Sequence, residues 1–304
     1  MSRTLAESRP LPQAGGRGIA MLVVAALGYG ANIPYARLAA DLGVPGTDAV
    51  AARVILILPL LALAAAVSGV SLSVPRGERR MLFLLGFTTS IIGLGYLSAI
   101  AFVPVGVAVM IFYTFPLLIL LAAPFVDKVR LSGAQLIAFA LAFAGIALAI
   151  GPSSGSLDWR GLALAGMASA GAACQFFLAS RAPGGGGLAS LFWIHAVVLP
   201  VTLAVSLFLG GPAGAEKFSA AAFPLGVTTA LYIGAIILQI GGMRLVSASL
   251  AGVIFCLEPV VATLSAGFLL GERLSGFQYA GGALVLGAII LNLTLGAPRA
   301  KAAA

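Results

Sequence analysis

The sequence predicts an all-α integral membrane protein with ten transmembrane helices, arranged as two inverted five-helix repeats. Three observations support this fold class. Apolar residues make up 61% of the 304 residues and charged residues only 9%, whereas an ordinary soluble domain has roughly 25% charged residues. Ten segments are mostly apolar over about 20 residues, which is the length of a helix that crosses a bilayer. A motif in the first half of the chain also recurs in the second half.

The ten predicted spans share their length and their apolar composition, and the loops between them are too short for a soluble domain. They are residues 18–39, 47–67, 81–102, 104–125, 131–151, 160–179, 188–209, 220–241, 247–269 and 276–295. Backbone polar groups in lipid must be satisfied within the segment, so spans of this length predict helices rather than barrel strands. Residues 1–17 and 296–304 are expected to be tails. The first apolar segment lacks an A-x-A cleavage pattern, which predicts a retained helix rather than a signal peptide.

The repeat is clearest between residues 109–133 and 252–276, at an offset of 143. Pro116 falls on Pro259, and an Arg-Leu-Ser-Gly motif at 130–133 falls on the same motif at 273–276. Weaker echoes are a Leu-Gly-x-Thr-Thr motif at 85–89 and 225–229, and Pro59 with Pro200. An offset that contains five spans, an odd number, places the two copies in opposite senses across the membrane. The sequence therefore predicts repeats at 18–151 and 152–295, an arrangement typical of transporters with a substrate site between the halves.

The distribution of lysine and arginine predicts that both termini are cytoplasmic. The side of the termini holds Arg3, Arg9, Arg17, Arg76, Arg79, Arg80, Lys128, Arg130, Arg181, Arg244, Arg299 and Lys301, and the other side holds Arg37, Arg160, Lys217 and Arg273. Such asymmetry follows the positive-inside rule and accounts for the net charge of +8. No basic run is interleaved with aromatic residues, so a nucleic-acid partner is not expected.

The motifs of enzymes and of nucleotide binding are missing from the sequence. His195 is the only histidine, which excludes an HExxH metal site, and there is neither an intramembrane aspartate pair nor a G-x-S-x-G elbow. The four glycines at 184–187 lack a following Lys-Ser/Thr, so no ATP site is expected. Cys174 and Cys256 lie in predicted spans and offer neither a disulfide framework nor metal-ligand spacing. The sequence predicts no enzyme, no cofactor and no metal.

Ionisable residues inside spans are costly and usually face a cavity or a partner. Glu258 lies about 16 Å into its span at 1.5 Å per residue, near the middle of a ~30 Å hydrocarbon core. It is a candidate proton site or a partner for a substrate ammonium group, or else a structural carboxyl that pairs with Arg53 or His195 or bonds between helices. Arg53 either snorkels to the interface or pairs with Asp48, or it binds a substrate carboxylate.

Other polar and aromatic residues in the spans are candidates to line a cavity, the alternative being ordinary packing. They are Tyr29, Asn32, Tyr96, Tyr113, Gln175, Trp193, His195 and Gln239. Prolines inside spans free a backbone carbonyl and kink the helix. Pro34, Pro116, Pro200 and Pro259 are therefore hinge candidates, although such kinks also serve packing alone.

Several of these residues carry a resemblance to a known family. In the second copy they are Glu258-Pro259-Val260, Gly271-Glu272-Arg273-Leu274 and Gly281-Gly282. In the first copy they are Tyr29-Gly30-x-Asn32 and Arg53. The ending of the first copy is degenerate, because Phe115-Pro116 and Asp127-Lys-Val replace the usual residues. The sequence resembles the EamA family of the drug/metabolite transporter superfamily, and most closely the YddG-type amino acid exporters. The resemblance implies a ten-helix carrier of the bacterial inner membrane with a central cavity for small metabolites.

The functional expectation combines the repeat with this resemblance. It is export of amino acids, aromatic and other neutral ones, by alternating access across the lipid bilayer. Multidrug or cationic-metabolite efflux, with Glu258 as the partner of the cation, is the alternative within transport. A channel and a membrane-embedded enzyme are further alternatives, the enzyme being disfavoured by the missing nucleophile and metal ligands.

Overall fold

The computed structural model describes residues 16–99, 102–103, 105–128, 131–150, 158–181, 187–269, 271 and 275–295. Their helices are α1 (Gly16–Asp41), α2 (Gly46–Val67), α3 (Arg76–Ala99), α4 (Val105–Phe112), α5 (Phe115–Val126), α6 (Gly133–Ile150), α7 (Trp159–Arg181), α8 (Leu188–Phe208), α9 (Ala215–Ala220), α10 (Ala222–Met243), α11 (Ala248–Phe255), α12 (Leu257–Leu269) and α13 (Gly276–Leu295). Most of the predicted tails, the boundary between residues 151 and 152, Arg130 and residues 272–274 lie outside the described residues.

The all-α membrane class is confirmed for the described part of the chain. Eight helical stretches there are long and apolar enough to cross a membrane, and the α4–α5 and α11–α12 pairs each contribute one of them. Large apolar side chains cover the outside, as at Phe208 and Phe268, each 89% exposed. A helix that is apolar all round is typical of a membrane span, so these side chains lie where lipid would contact them.

Contacts between helices show that the two repeats run in opposite senses. We call the end of the bundle where α1 begins proximal, and the end where α1 leads into α2 distal. A Cβ built on Gly18 of α1 would lie 3.5 Å from the carbonyl oxygen of Gly242, near the end of α10. A Cβ built on Gly95, near the end of α3, would lie 2.9 Å from the carbonyl oxygen of Leu164, near the start of α7. Both pairs are antiparallel, so α1 begins proximally and its equivalent α7 begins distally.

Equivalent elements of the two repeats pack in equivalent ways. α1 packs on α10 as α7 packs on α3, while α2 pairs with its own equivalent α8, and α6 with α13. Local bonds match as well: the Thr89 hydroxyl donates to the Leu85 carbonyl and the Thr229 hydroxyl to the Leu225 carbonyl, both at 2.7 Å. The offset of 140 between α3 and α10 seen in the sequence is therefore also structural.

The buried faces of α2 and α8 fix the offset between these two helices. Val54, Ile57, Leu61 and Ala65 of α2 are buried, and so are His195, Val198, Thr202 and Ser206 of α8, each 141 positions later. This is the offset that relates Pro59 to Pro200. Each residue of α2 therefore has an identifiable equivalent on α8.

Two predicted spans are interrupted helices rather than continuous ones. Residues 104–125 divide into α4 and α5 at Tyr113–Thr114, and residues 247–269 divide into α11 and α12 at Cys256. Pro116 and Pro259 follow the two breaks, and each lacks the N–H that a continuous helix would use there. The Thr114 hydroxyl satisfies the carbonyl of Ile111 at 2.6 Å. The breaks are thus symmetry-related, whereas Pro34 and Pro200 lie inside uninterrupted helices.

Candidate functional site

A continuous series of aromatic rings runs through the interface between the repeats. Its neighbouring ring centroids are His195–Tyr232 at 5.7 Å, Tyr232–Tyr29 at 5.8 Å, Tyr29–Phe255 at 6.0 Å, Phe255–Phe176 at 5.2 Å, Phe176–Phe115 at 5.1 Å, Phe115–Phe112 at 5.5 Å and Phe112–Tyr96 at 5.1 Å, with Tyr113 beside Phe112 at 5.1 Å. We call these nine residues the aromatic cluster. Such distances suit edge-to-face and tilted packing of rings. The cluster joins helices from both repeats.

Glu258 lies in the first turn of α12, immediately after the break in the helix. Tyr29, Tyr96 and Tyr113 lie near enough to its carboxyl group for their hydroxyls to interact with it electrostatically. The Tyr113 hydroxyl is buried and faces this carboxyl group without the geometry of a direct hydrogen bond. No ion pair with Arg53 or His195 is formed among the described residues, so the predicted structural pairing of Glu258 is not present.

Arg53 projects from α2 onto the other end of the aromatic cluster. Its guanidinium lies 4.5 Å from the centroid of the Tyr232 ring, a cation–π contact. Its Nε is buried and has no hydrogen-bond partner, and no carboxylate of the described chain forms an ion pair with it. Arg53 is therefore a partly buried cation that contacts an aromatic face and forms no ion pair with a carboxylate of the described residues.

Asp48 does not pair with Arg53, contrary to one of the sequence interpretations. This buried carboxylate of α2 accepts a hydrogen bond from the Ser206 hydroxyl of α8 at 2.5 Å and one from the backbone N–H of Ala213 at 2.8 Å. Both donors belong to the second repeat, so Asp48 ties the distal ends of α2 and α8 together. Its acceptor capacity is used in this contact rather than on the arginine.

His195 is fully buried and orients Tyr232. Its Nδ1 lies 2.8 Å from the Leu191 carbonyl oxygen and its Nε2 lies 3.3 Å from the Tyr232 hydroxyl. A carbonyl can only accept, so Nδ1 carries the proton and Nε2 accepts from the tyrosine. Both ring nitrogens are engaged, and His195 therefore holds Tyr232 in place under Arg53.

Two amide side chains, those of Gln239 and Gln175, form hydrogen bonds within the protein. The Tyr29 hydroxyl donates to Oε1 of Gln239 at 2.7 Å, and Nε2 of Gln175 donates to the Thr89 hydroxyl at 2.7 Å. Asn32 is the equivalent of Gln175 at the offset of 143, and its buried Oδ1 has no partner. Asn32 is thus a buried acceptor free to bind a donor.

Trp193 lies outside the cluster. Its side chain is 44% exposed and its Nε1 donates to the Leu72 carbonyl at 2.8 Å, in the loop between α2 and α3. The structure does not support it as a lining residue, because it binds an exterior loop. Conversely, sequence reasoning missed Tyr232, Phe112 and Phe255. Tyr232 stands seven residues before Gln239, two helical turns along one face, which is a signal that could have identified it.

The proximal half of the interface is closed. A cavity of about 10 Å³, roughly the room for one water, is lined by Leu85, Thr89, Gln175, Ala179, Ile194, Ile236, Gln239 and Ile240. A groove of about 480 Å³ lies distally between α1, α10 and α12, lined by Ala31, Tyr35, Val227, Leu231, Leu264, Ser265, Phe268 and Leu269. The described residues hold no group of three or more His, Cys, Asp or Glu side chains that suits a metal ion.

Two equivalent glycines differ in the contacts that they make with the neighbouring helix. A Cβ built on Gly86 of α3 would lie 2.6 Å from the Cβ of Val197 and 2.8 Å from the carbonyl oxygen of Ile194, both on α8. A Cβ built on Gly226 of α10 would meet nothing within 4 Å in the described chain. α3 is therefore sealed onto α8 at Gly86, whereas Gly226 of α10 makes no such contact with α2, although Leu225 and Ala49 of these two helices pack in one buried cluster.

Comparison with known proteins places this architecture in a family. The chain matches the EamA-like transporter family twice, over residues 16–151 and 159–294, whereas no curated protein matches it. One solved crystal structure of a protein is 21% identical, covers 91% of this chain and 99% of its own, and superposes with a TM-score of 0.68. At that identity the likeness supports the fold and not the substrate. The two family matches together span most of the sequence, and the chain therefore belongs to the EamA-like transporter family, whose members are membrane transporters and not enzymes.

Proposed function

We propose that this transporter exports amino acids, aromatic and other neutral ones, across a bacterial inner membrane by alternating access. In this proposal ten transmembrane helices form repeats at 18–151 and 152–295, and both termini are cytoplasmic. The observation that carries it is the aromatic cluster between the repeats, which contacts an arginine and a glutamate that have no ion-pair partner among the described residues. The resemblance to YddG-type exporters supports the same substrate class.

The chemistry of the cluster matches that of a neutral amino acid. Ring faces offer apolar contact and edge-to-face packing to an aromatic side chain. Arg53 offers a partner to a carboxylate and Glu258 a partner to an ammonium group, in different parts of the cluster. A site at the interface between inverted repeats is reached from either side as the halves rock.

The test is counterflow in proteoliposomes. Vesicles containing purified transporter and an excess of unlabelled amino acid are diluted into labelled phenylalanine, threonine or methionine, and uptake is followed against protein-free vesicles. We expect saturable, transient accumulation of phenylalanine and methionine, because exchange drives label inward. Absence of saturable uptake of every amino acid tested would exclude this substrate class. Ion conductance without stimulation by internal substrate would instead indicate a channel.

Efflux of cationic compounds is the second candidate, because Glu258 faces three tyrosine side chains. A carboxylate among ring faces suits a cation. If cations are the substrates, Glu258→Gln abolishes resistance to cationic drugs in cells that express the transporter.

For amino acid exchange we expect Glu258→Gln to remain active. The residue equivalent to Glu258 at the offset of 143 is Phe115, so the carboxyl belongs to one repeat only and the rocking of the halves does not depend on it. Loss of a charged hydrogen bond to the ammonium group corresponds to roughly a 10–100-fold weaker affinity, measured as a higher half-saturating phenylalanine concentration with downhill exchange retained. Complete loss of exchange by a normally folded Glu258→Gln variant would contradict this expectation.

A further inference from the structure

The position of Ile194, which is the equivalent of Arg53 in the second repeat, indicates where Arg53 lies when α10 closes on α2 at Gly226. At the offset of 141, Arg53 and Leu56 of α2 correspond to Ile194 and Val197 of α8. Ile194 and Val197 are the two residues against which Gly86 is sealed in the proximal half. Inverted repeats exchange conformations as access alternates, so closure of the distal half brings Gly226 onto Arg53 and Leu56.

Closure changes the surroundings of the arginine. Ile194, the equivalent of Arg53 in the sealed half, is 2% exposed, whereas Arg53 itself is only partly buried and a Cβ on Gly226 meets nothing within 4 Å in the described chain. An apolar isoleucine tolerates the sealed environment. A guanidinium without a counter-charge does not, because burial removes its water and leaves it unpaired.

We propose that Arg53 is the binding site for the carboxylate of the transported substrate, and that occupation of this site permits α10 to close on α2. The proposal rests on the proposed function and adds the group that is recognised and its role in the transport cycle. A carboxylate neutralises the guanidinium and can bond to it through two parallel N–H···O contacts. Tyr232 supports one face of the guanidinium at 4.5 Å, and Nε on the guanidinium edge has no hydrogen-bond partner among the described residues.

This arrangement makes the carrier an exchanger of carboxylate-bearing compounds. The empty transporter passes through the closed state only by burying an unpaired cation, which is a costly step. The loaded transporter passes through it with the charge neutralised. Return of the carrier therefore requires a second molecule with a carboxylate, and internal substrate accelerates uptake from outside.

The experiment compares three compounds inside proteoliposomes that take up labelled phenylalanine. Unlabelled phenylalanine has both charged groups, phenylalaninamide lacks the carboxylate, and 3-phenylpropionate lacks the ammonium group. We expect phenylalanine and 3-phenylpropionate to accelerate uptake, and phenylalaninamide to be at least ~10-fold less effective, since a hydrogen bond to a charged group is worth about this factor. Equal stimulation by phenylalanine and its amide in the wild-type protein would overturn the proposal, while failure of phenylalanine uptake itself would overturn the proposed function.

Two arginine variants separate the site from charge in general. Arg53→Gln removes the cation, so we expect the preference for phenylalanine over its amide to fall to within ~2-fold and empty carriers to return without a carboxylate. Arg37→Gln is the matched control, because Arg37 lies in the distal half of α1, is exposed and is paired with Asp41 at 2.9 Å; it should keep the wild-type preference. A folded Arg53→Gln protein that keeps this preference would overturn the proposal. If Arg53→Gln does not fold, Arg53→Lys, which keeps the charge, must keep the preference, and the wild-type comparison decides independently.

Discussion

Gly226→Leu is expected to slow transport without lowering the thermal stability of the protein. In the present structure a Cβ built on Gly226 meets no atom of the described chain within 4 Å, and Gly226 is exposed, so we expect folding to be unaffected. In the alternate state Gly226 takes the place that Gly86 holds against α8, where even a Cβ would lie 2.6 Å from the Cβ of Val197. Overpacking of this kind costs about 1–3 kcal/mol, which corresponds to roughly a 5–150-fold loss of counterflow.

Gly234→Leu is the matched control for this prediction. Gly234 lies on the same helix, and a Cβ built on it also meets nothing within 4 Å. Its equivalent at the offset of 140 is Leu94, so the first repeat already carries a leucine at this position. We expect Gly234→Leu to retain wild-type counterflow and an unchanged unfolding temperature in detergent. Wild-type counterflow in Gly226→Leu would show that α10 does not close on α2 at this glycine.

Gly86→Leu is expected to act on the opposite side of the same cycle. The leucine cannot be accommodated against Ile194 and Val197, so it weakens the proximal seal and lowers the unfolding temperature. The two variants together distinguish the sealed contact from its unformed equivalent. Equal unfolding temperatures for Gly86→Leu and Gly226→Leu would contradict the asymmetry of the two halves.

Gly30→Ala is expected to destabilise the protein, although the same change elsewhere in a helix stabilises it. A Cβ on Gly30 of α1 would lie 2.6 Å from the Cβ of Val261 and 2.7 Å from the carbonyl oxygen of Glu258, both on α12. The carbonyl belongs to the backbone and cannot rotate away, so α1 must separate from α12. We expect the free energy of unfolding to fall by about 1–3 kcal/mol, measured as a lower unfolding temperature in detergent. We also expect weaker counterflow, because Glu258 is displaced from the tyrosines.

Gly166→Ala provides the comparison of opposite sign. Gly166 lies inside α7, and a Cβ built on it meets no atom within 4 Å. Alanine has a higher helix propensity than glycine, so the substitution raises the free energy of unfolding by up to about 1 kcal/mol. This variant should therefore unfold at the same or a higher temperature. A rise in unfolding temperature for Gly30→Ala as well would show that α1 and α12 can separate without penalty.

The membrane class, the all-α fold and the two copies could be predicted from the sequence because they depend on local composition and on a repeated pattern. The predicted span 47–67 differs by one residue from α2, Gly46–Val67, because the length of an apolar segment is fixed by the thickness of the hydrocarbon core. The interruptions at Tyr113–Thr114 and Cys256 were expected only as kinks at Pro116 and Pro259. A proline predicts a missing hydrogen bond, whereas the neighbouring helices decide whether the helix bends or breaks.

The pairing of the charged residues could not be predicted, because it depends on contacts between residues far apart in the chain. Asp48 is five residues from Arg53 on the same helix, yet it bonds to Ser206, 158 residues away. Glu258 likewise faces Tyr29 and Tyr113 rather than a cation. The carboxylate of Asp48 accepts from the donors that the packed helices bring to it, and spacing along one helix does not reveal them.

The sequence by itself determined that this protein is an all-helical membrane transporter built from two copies of one unit, because hydrophobic length and internal repetition are properties of the chain alone. Only the tertiary structure decided which half is closed, since Gly86 and Gly226 occupy the same position in the repeated motif but differ in what lies against them. It also decided that Arg53 stands over Tyr232 and that no carboxylate of the described residues forms an ion pair with it. Helices α2 and α10, from opposite repeats, create that environment. It holds a cation, and an anionic group can bind there and neutralise it.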